Sequence, residues 1–325
     1  MIAPDLPAEL RAALEAKLEG LSRNEVATRA ALMSRTYREG GGSGTIKSAT
    51  DALAYALARM PATYAAVSAC VNALLEARPD FAPERLLDVG AGPGTASWAA
   101  GYAFPTLKSF ALLDANATLR SLALDLLRDS TRFAGLHYEP GDARASLASA
   151  EAADLVVASY LIGELGEDER KSLTEAMWAR TRDTLVVVEP GTPAGYARII
   201  ALRTQLIAAG AHVLAPCPHG RTCPLVPPDW CHFSQRLARS RAHKQVKGAD
   251  APFEDERFSY VVLTRGPVER PLSRVLAQPS IGKAEISVKL CTPDGLVTTR
   301  VPRRDKTAYA NARHWRWGDG TREKS

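Results

Sequence analysis

No stretch of the 325-residue chain reaches the roughly 18 consecutive apolar residues that a membrane-spanning helix needs, which excludes the ordinary transmembrane class. No internal repeat is present, which excludes repeat solenoids, and low complexity is confined to Gly40-Gly41-Gly42-Ser43-Gly44. The first residues, Met1-Ile2-Ala3-Pro4-Asp5, reach acids quickly at Asp5, Glu9 and Glu15. They lack the basic-then-apolar build of a secretory signal and the acid-poor build of a transit peptide. The expectation is a cytoplasmic protein of a bacterium-like cell, with no membrane partner. Cysteine is sparse, at five residues, and no two of them form a C-x2-C knuckle.

What is present is ordinary in bulk. Apolar residues at 46% and charged residues at 24% suit a folded chain, long enough for one large core with appendages or for two domains. The net charge of +5 is unevenly placed. From Cys217 onward Lys and Arg number 20 against 11 acids, a balance of +9, whereas residues 1–216 carry 21 against 25, a balance of −4. A basic last third beside a near-neutral body points to a polyanion, nucleic acid first; a solvated basic surface is the bland alternative.

Residues 6–77 read as helices. Leu6, Leu10, Leu14 and Leu18 recur at a helical period, and a second apolar face runs through Tyr64, Val67, Val71 and Leu75. Pro61, in Arg59-Met60-Pro61-Ala62-Thr63-Tyr64, is placed to open a helix at its first turn. From Arg85 short apolar runs alternate with helical stretches. Strands are expected over 86–89, 110–113, 136–138, 155–159 and 185–188, and helices over 96–102, 117–127, 168–180 and 194–209. Such alternation implies parallel βαβ units. After Ala215 the texture turns irregular; strands over 258–263 and 286–290 either complete the sheet or begin a small β-module. The tail from Arg300 is basic.

The strand ending at Asp88-Val89 runs straight into Gly90-Ala91-Gly92-Pro93-Gly94-Thr95 and then a helix. Glycine suits a tight turn where a ligand approaches the backbone, and the helix N-terminus can receive negative charge. Asp114, 20 residues beyond Gly94, ends the next strand, where a carboxylate can accept from ribose hydroxyls. Gly141-Asp142 follows the third strand. The G-x-G-x-G spacing with a preceding acid resembles the class I methyltransferase fold over roughly 83–210. The expected fold is therefore α/β: a class I methyltransferase Rossmann-like core (81–212), an N-terminal helical region (1–80) and a C-terminal Cys-rich basic module (213–325). S-adenosylmethionine is the expected cofactor, held by Asp88, Gly90, Gly92, Gly94, Asp114, Asp142 and Ser159; a dinucleotide is the alternative.

Catalytic residues are not evident. Amino-methylating nucleic-acid enzymes often carry Asn/Asp-Pro-Pro-aromatic after the fourth strand, but here the segment is Ala158-Ser159-Tyr160-Leu161-Ile162-Gly163-Glu164-Leu165. Tyr160 or Glu164 are candidates to touch a substrate, with a structural role favoured for Tyr160.

Four cysteines gather late, as Cys217, Cys223, Cys231 and Cys291, while Cys70 sits on a helical apolar face as a small core residue. Clustered thiols in a reducing compartment suggest a metal. Tetrahedral zinc and a [4Fe–4S] cluster both take four thiolates, and His219 and His232 are alternative ligands that would favour zinc.

Taken together these segments resemble the methyltransferase-like small-ribosomal-subunit assembly proteins of mitochondria and bacteria. The resemblance rests on Arg59–Tyr64, the Asp88–Gly94 loop, Cys217–Cys223, Trp230-Cys231-His232-Phe233-Ser234-Gln235-Arg236 and Lys289-Leu290-Cys291, and spans most of 45–318. It implies association with small-subunit (16S-type) ribosomal RNA during assembly and four cysteines holding a [4Fe–4S] cluster, and it leaves methyl transfer open.

Two basic segments would grip the RNA: Arg236, Arg239, Arg241 and Lys244 with Lys247, and Arg303, Arg304, Arg313 and Trp315 with their neighbours. Basic groups release counterions from phosphates, and aromatic rings stack on unpaired bases. A cluster joining Cys231 and Cys291 would organise both segments structurally. The favoured function is an S-adenosylmethionine-binding assembly factor acting as a monomer. The alternative is an active rRNA methyltransferase with a structural zinc or iron–sulfur site, and a dehydrogenase ranks last.

Overall fold

A computed structural model of the chain describes residues 1–38, 41–128, 130–247 and 250–321; Gly40 and the polar tail at 322–325 lie outside the described residues. Three helices come first: α1 (Ala8–Ala16), α2 (Arg23–Arg38) and α3 (Ala49–Ala77). An alternating run follows: β1 (Arg85–Val89), α4 (Thr95–Ala103), β2 (Ser109–Asp114), α5 (Ala117–Leu127), β3 (Leu136–Pro140) and α6 (Ala143–Ser149). It continues as β4 (Ala153–Ser159), α7 (Glu167–Arg180), β5 (Thr181–Pro190), α8 (Pro193–Ala208) and β6 (His212–Ala215). The remainder holds β7 (Phe233–Ala238), α9 (Arg241–Lys247), β8 (Phe253–Thr264), β9 (Ser273–Val275) and β10 (Ser280–Ile281). The chain closes with β11 (Glu285–Thr292), β12 (Gly295–Pro302), α10 (Lys306–Ala312) and β13 (Gly320–Thr321). No described helix is long and apolar enough to cross a membrane.

The larger sheet runs β3-β2-β1-β4-β5-β8-β6. β1 to β5 pair in parallel, and β8 enters reversed, antiparallel to both β5 and β6. Strands covered on both faces read as continuous apolar runs, as in Leu185–Val188. Alternate residues divide between the two faces. Leu86, Leu155 and Val186 pack with α3, α4 and α5, while Leu87, Val156 and Val187 pack with α7 and α8. The 258–263 strand thus completes this sheet and the 286–290 strand belongs to a second one.

Helix α3 corrects one expectation. It starts at a capping box, in which Ser48 Oγ accepts from the Asp51 amide and Asp51 Oδ2 accepts from the Ser48 amide. It then runs unbroken through Pro61. An interior proline removes one helical hydrogen bond and costs about 3 kcal/mol. Burial of Met60, Tyr64, Val67 and Val71 around it outweighs that cost.

β8 has two partners on one edge. Phe258 pairs with Pro190 of β5 on one side and Phe233 of β7 on the other, and Val262 pairs with Val186 of β5 and Ala215 of β6. β6 and β7 therefore share the edge opposite β5, and the segment 216–232 between them loops out of the sheet. The smaller sheet places β12 along one side of β11 and β10 and β9 along the other, with β13 beyond β9. Val275, Ile286, Val288 and Val301 with Ala312 form its own core.

Leu263 of β8 is fully buried. Leu263→Ala should lower the unfolding free energy by about 2–5 kcal/mol in denaturant titration. A loss below about 1 kcal/mol would show that β8 is peripheral to the sheet's stability.

Candidate functional site

Three left-handed glycines make the loop after β1: Gly90 (φ 70°), Gly92 (φ 53°) and Gly94 (φ 79°), the last serving as N-cap of α4. A Cβ at Gly90 would also lie 2.7 Å from Leu161 Cδ1. The amides of Gly90 and Ala91 donate to the Leu113 carbonyl at 2.8 and 3.0 Å. The Tyr138 hydroxyl donates to the Gly92 carbonyl at 2.8 Å. Asp114 completes the brace, accepting from the Gly92 amide at 2.8 Å and the Asn116 amide at 2.7 Å. Burial raises its pKa, against the opposing pull of those two amides.

Gly90, Asp114, Asp142 and Glu164 line one cavity, with Ser43 at its rim. Asp142 also caps α6, accepting from the Arg144 and Ala145 amides. Four expected residues do not line it: Gly92 and Gly94 shape the loop behind it, and Ser159 and Asp88 are placed elsewhere. Ser159 pairs through its backbone with Val188 of β5 and does not line the cavity. Asp88, fully buried, turns to the first turn of α4, where its Oδ2 accepts from the Ser97 amide (3.0 Å) and hydroxyl (2.7 Å). Its Oδ1 has no hydrogen-bond partner. Burial, opposed by the Ser97 bonds, pushes its pKa up to about 7.

The four late cysteines, all free thiols, line a second cavity. Three come from the loop leaving the large sheet's edge, and the fourth lies on β11 between Arg274 of β9 and Leu296 of β12. The Ser259 hydroxyl of β8 holds the Cys231 carbonyl at 2.8 Å, and the Tyr196 hydroxyl donates to Cys223 Sγ at 3.1 Å. Burial, then the neighbouring cysteines, push the Cys231 thiol well up; the same causes push Cys291 to about 12. Among the described residues, no three His, Cys, Asp or Glu are drawn together tightly enough to hold a metal ion.

Arg203 and Arg274, 2% and 7% exposed, also line this cavity. Arg203 donates to the carbonyls of His219 and Arg221, and Arg274 to those of Pro216 and Gly318. Neither meets a carboxylate among the described residues. Of the two histidines, His219 lies here, with Nε2 3.6 Å from Cys291 Sγ. His232 instead stacks on Trp230 and meets Trp317 edge-on, away from the cavity. Cys70 is buried in the α3 core.

The basic residues divide. Arg239 and Lys247 both clasp Glu254 and are mostly buried. Arg236 pairs with Asp255 at the surface. Arg241, Arg303, Arg304 and Arg313 are exposed and Lys244 half-buried, and none pairs with a carboxylate among the described residues. Trp315 packs partly against the small sheet's core, so its ring is committed inward in part.

A parallel sheet with a reversed strand between β5 and β6, a glycine-braced loop after β1 and a carboxylate after β2 define a protein of the class I methyltransferase fold. More particularly, the chain belongs to the mitochondrial small ribosomal subunit Rsm22 family, matching it over residues 49–322. It is 30% identical over 289 residues to the human ribosome assembly protein METTL17, mitochondrial, covering 82% of this chain and 61% of that one. It is 25% identical over 328 residues to the mitochondrial Rsm22-cox11 tandem protein 2 of Schizosaccharomyces pombe, covering 82% of this chain and 42% of that one. The chain thus spans less than two thirds of either relative. Similar solved structures include the magnesium protoporphyrin IX methyltransferase of Synechocystis PCC 6803 with bound SAM (14% identity, 76% and 99% coverage, TM-score 0.41). Another is the N-methyltransferase NodS of Bradyrhizobium japonicum (12% identity, 63% and 88% coverage, TM-score 0.41).

These curated relatives are mitochondrial proteins, which overturns the bacterial cytoplasmic location expected from the first residues. Those first residues pack onto α3, where the Ile2 amide donates to Asn72 Oδ1 and the Ile2 carbonyl accepts from Asn72 Nδ2.

Asp88 supplies a pH test. Its folded pKa lies above the unfolded value, so the native state holds a proton that the unfolded chain has released between about pH 4 and pH 7. Its contribution to stability therefore falls as pH rises through that window. Asp88→Asn should gain on the parent by about 1–3 kcal/mol between about pH 5 and pH 8 in paired urea titrations. A difference independent of pH would mean that Asp88 is ionised throughout.

Proposed function

We propose that this chain is an assembly factor of the small ribosomal subunit that binds S-adenosylmethionine beside the glycine loop and ribosomal RNA through its basic C-terminal segments. Cys217, Cys223, Cys231 and Cys291 would hold a [4Fe–4S] cluster. The observation that carries the metal centre is the pair of buried arginines. A buried cation without an anion is costly, and Arg203 and Arg274 face four thiols and no carboxylate. Four thiolates on zinc or on a cubane leave a net negative centre, which supplies the missing charge. The resemblance of the cysteine segments favours the cubane. Bound there, it would act as a rigid cross-link between the loop at 216–232 and β11.

For the nucleoside, Asp114 lines the cavity beside Gly90, where a carboxylate suits ribose hydroxyls. Asp142 stands across from it. Asp88 would support the loop through α4, and Gly92 and Gly94 would shape it. For RNA, the solvent-facing group is Arg241, Lys244, Arg303, Arg304 and Arg313, with Arg236 released from Asp255 at little cost because exposed pairs are weak. The second reading, an active rRNA methyltransferase, is favoured by a further cavity that adjoins the cofactor site through Glu164. Transfer of a labelled methyl group to immature small subunits, abolished by Gly92→Asp, would establish it.

Protein purified without oxygen should carry about four iron and four sulfide per chain with a broad absorbance near roughly 400 nm. About one zinc and no colour would make the four cysteines a structural zinc site; neither metal would remove the centre altogether. In RNA binding followed against salt, Arg303→Ala with Arg304→Ala should flatten the log–log slope by roughly 1.5–2. Arg239→Ala should leave the slope alone and lower the melting temperature. The reverse pattern would place the RNA surface at the turn between β7 and α9.

A further inference from the structure

β7 and the first part of β8 form a two-stranded ribbon that projects beyond the large sheet. β5 accompanies β8 only from Phe258 onward, so residues 253–257 have β7 as their one strand partner among the described residues. Residues paired across such a ribbon share a face. Phe233, Leu237, Glu256 and Phe258 are buried on one face. The other carries Ser234 opposite Arg257, Arg236 opposite Asp255 and Ala238 opposite Phe253, and all of these but Ser234 are exposed.

A ring, a fixed guanidinium and a free cation follow one another along this open face, two residues apart. Phe253 is 53% exposed and is the one aromatic among the exposed large apolar side chains of the described residues. The Arg236 guanidinium lies 6.0 Å from its ring centroid. Asp255 holds it there, accepting from Nε on Oδ1 and from Nη2 on Oδ2, both at 2.8 Å. The Arg257 side chain has neither an ion pair nor a hydrogen bond among the described residues. Beyond Phe253 the ribbon is closed by the segment that carries α9, whose exposed Arg241 also lacks a carboxylate partner among the described residues.

We propose that this face is a platform for single-stranded RNA: one unpaired base stacks on Phe253 beside Arg236, and Arg257 takes a phosphate of the same strand. An exposed ring beside a guanidinium plane offers stacking to any base, and a free cation gains by releasing counterions. Bases within a duplex stack on one another and cannot lie flat on a protein ring, so the strand is unpaired where it crosses the ribbon. Asp255 neutralises Arg236, which leaves Arg257 as the cation of this face with charge to give to a phosphate. A protein partner would need an apolar patch to bury, and Phe253 is the one large apolar side chain here. The inference rests on the RNA-binding reading above and adds to it a contact with bases, apart from the phosphate contacts after β12.

The test follows the anisotropy of an end-labelled, unstructured RNA of about 12 nucleotides, alone or closed into a duplex by its complement, on titration with the full chain. Phe253→Ala should weaken the single strand about fivefold to a hundredfold and leave the duplex within about twofold, with the protein's melting temperature unchanged. Phe253→Trp should restore or tighten binding of the single strand. Arg257→Ala should flatten the log–log salt slope for the single strand by about 0.7. If the parent captures the strand and Phe253→Ala stays within about twofold of it, the platform is overturned while the phosphate contacts stand. Equal losses for strand and duplex also overturn it, because a duplex has no free base to stack. A chain that captures neither RNA sinks the RNA-binding reading and the platform with it.

Discussion

Strand β8 runs against the parallel sheet, and the positions of the cysteine cavity and of the cavity lined by Tyr160 and Arg59 follow from that reversal. One edge of its C-terminal half is filled by β5, so β6 and β7 must divide the other. Where they part, the chain is free to leave the sheet, and the cysteine loop leaves there. The backbone of Cys231 returns to β8 through Ser259, and Tyr260 of the same strand lines the cysteine cavity. Two residues farther toward its N-terminus than Phe258, Glu256 sends its carboxylate to Tyr160 and Arg59 at the other cavity. A strand exposes alternate residues on one face, so Glu254 follows Glu256 on the same side and meets Arg239, Lys247 and His243.

This arrangement changes the meaning of the chain's charge. The formal balance of +9 from Cys217 onward treats every lysine and arginine as available, yet Arg239 and Lys247 are consumed by Glu254, and Arg274 is buried at the cysteine cavity. What faces solvent unpaired is concentrated after β12. Electrostatic capture of a polyanion scales with charge that can reach phosphate, so the tail segment outweighs α9 despite their similar composition.

The regular elements were legible because their signals are local. Strands at 86–89, 155–159 and 185–188 announce themselves by unbroken apolar runs, and helix 117–127 appears at the residues expected, capped by Asn116. Asp114 was reachable from its distance to the glycine loop, and Asp142 from its place after the third strand. Asp88 was not, because its partner Ser97 is chosen by the angle at which α4 leaves the loop. β7, β9 and β12 were missed for a related reason: short or half-exposed strands carry little hydrophobic period, and their pairing is decided by β8 and β11. His219 and His232 looked equivalent along the chain. Only the packing of Trp230 and Trp317 around His232 separates them. Nothing in the sequence marks Glu189 and Tyr160 as neighbours of one chamber, since β4 and β5 bring them together.

The small sheet has an apolar core of its own, distinct from the two cores that sandwich the large sheet. Its ties to the rest include polar contacts around the cysteines, from Arg274 to the Pro216 carbonyl, Arg221 to the Pro293 carbonyl and Lys289 to Asp229, beside the Trp317 ring, which packs on the large core and meets His232. Contacts of this kind, individually worth about 1 kcal/mol, open more readily than a continuous core. A covalent-strength link between Cys291 and the three loop cysteines would fall at this joint. Its loss would free β11, β12 and the basic residues they carry before it disturbed the Rossmann core. The same joint thus decides whether the exposed arginines after β12 are presented on a fixed surface.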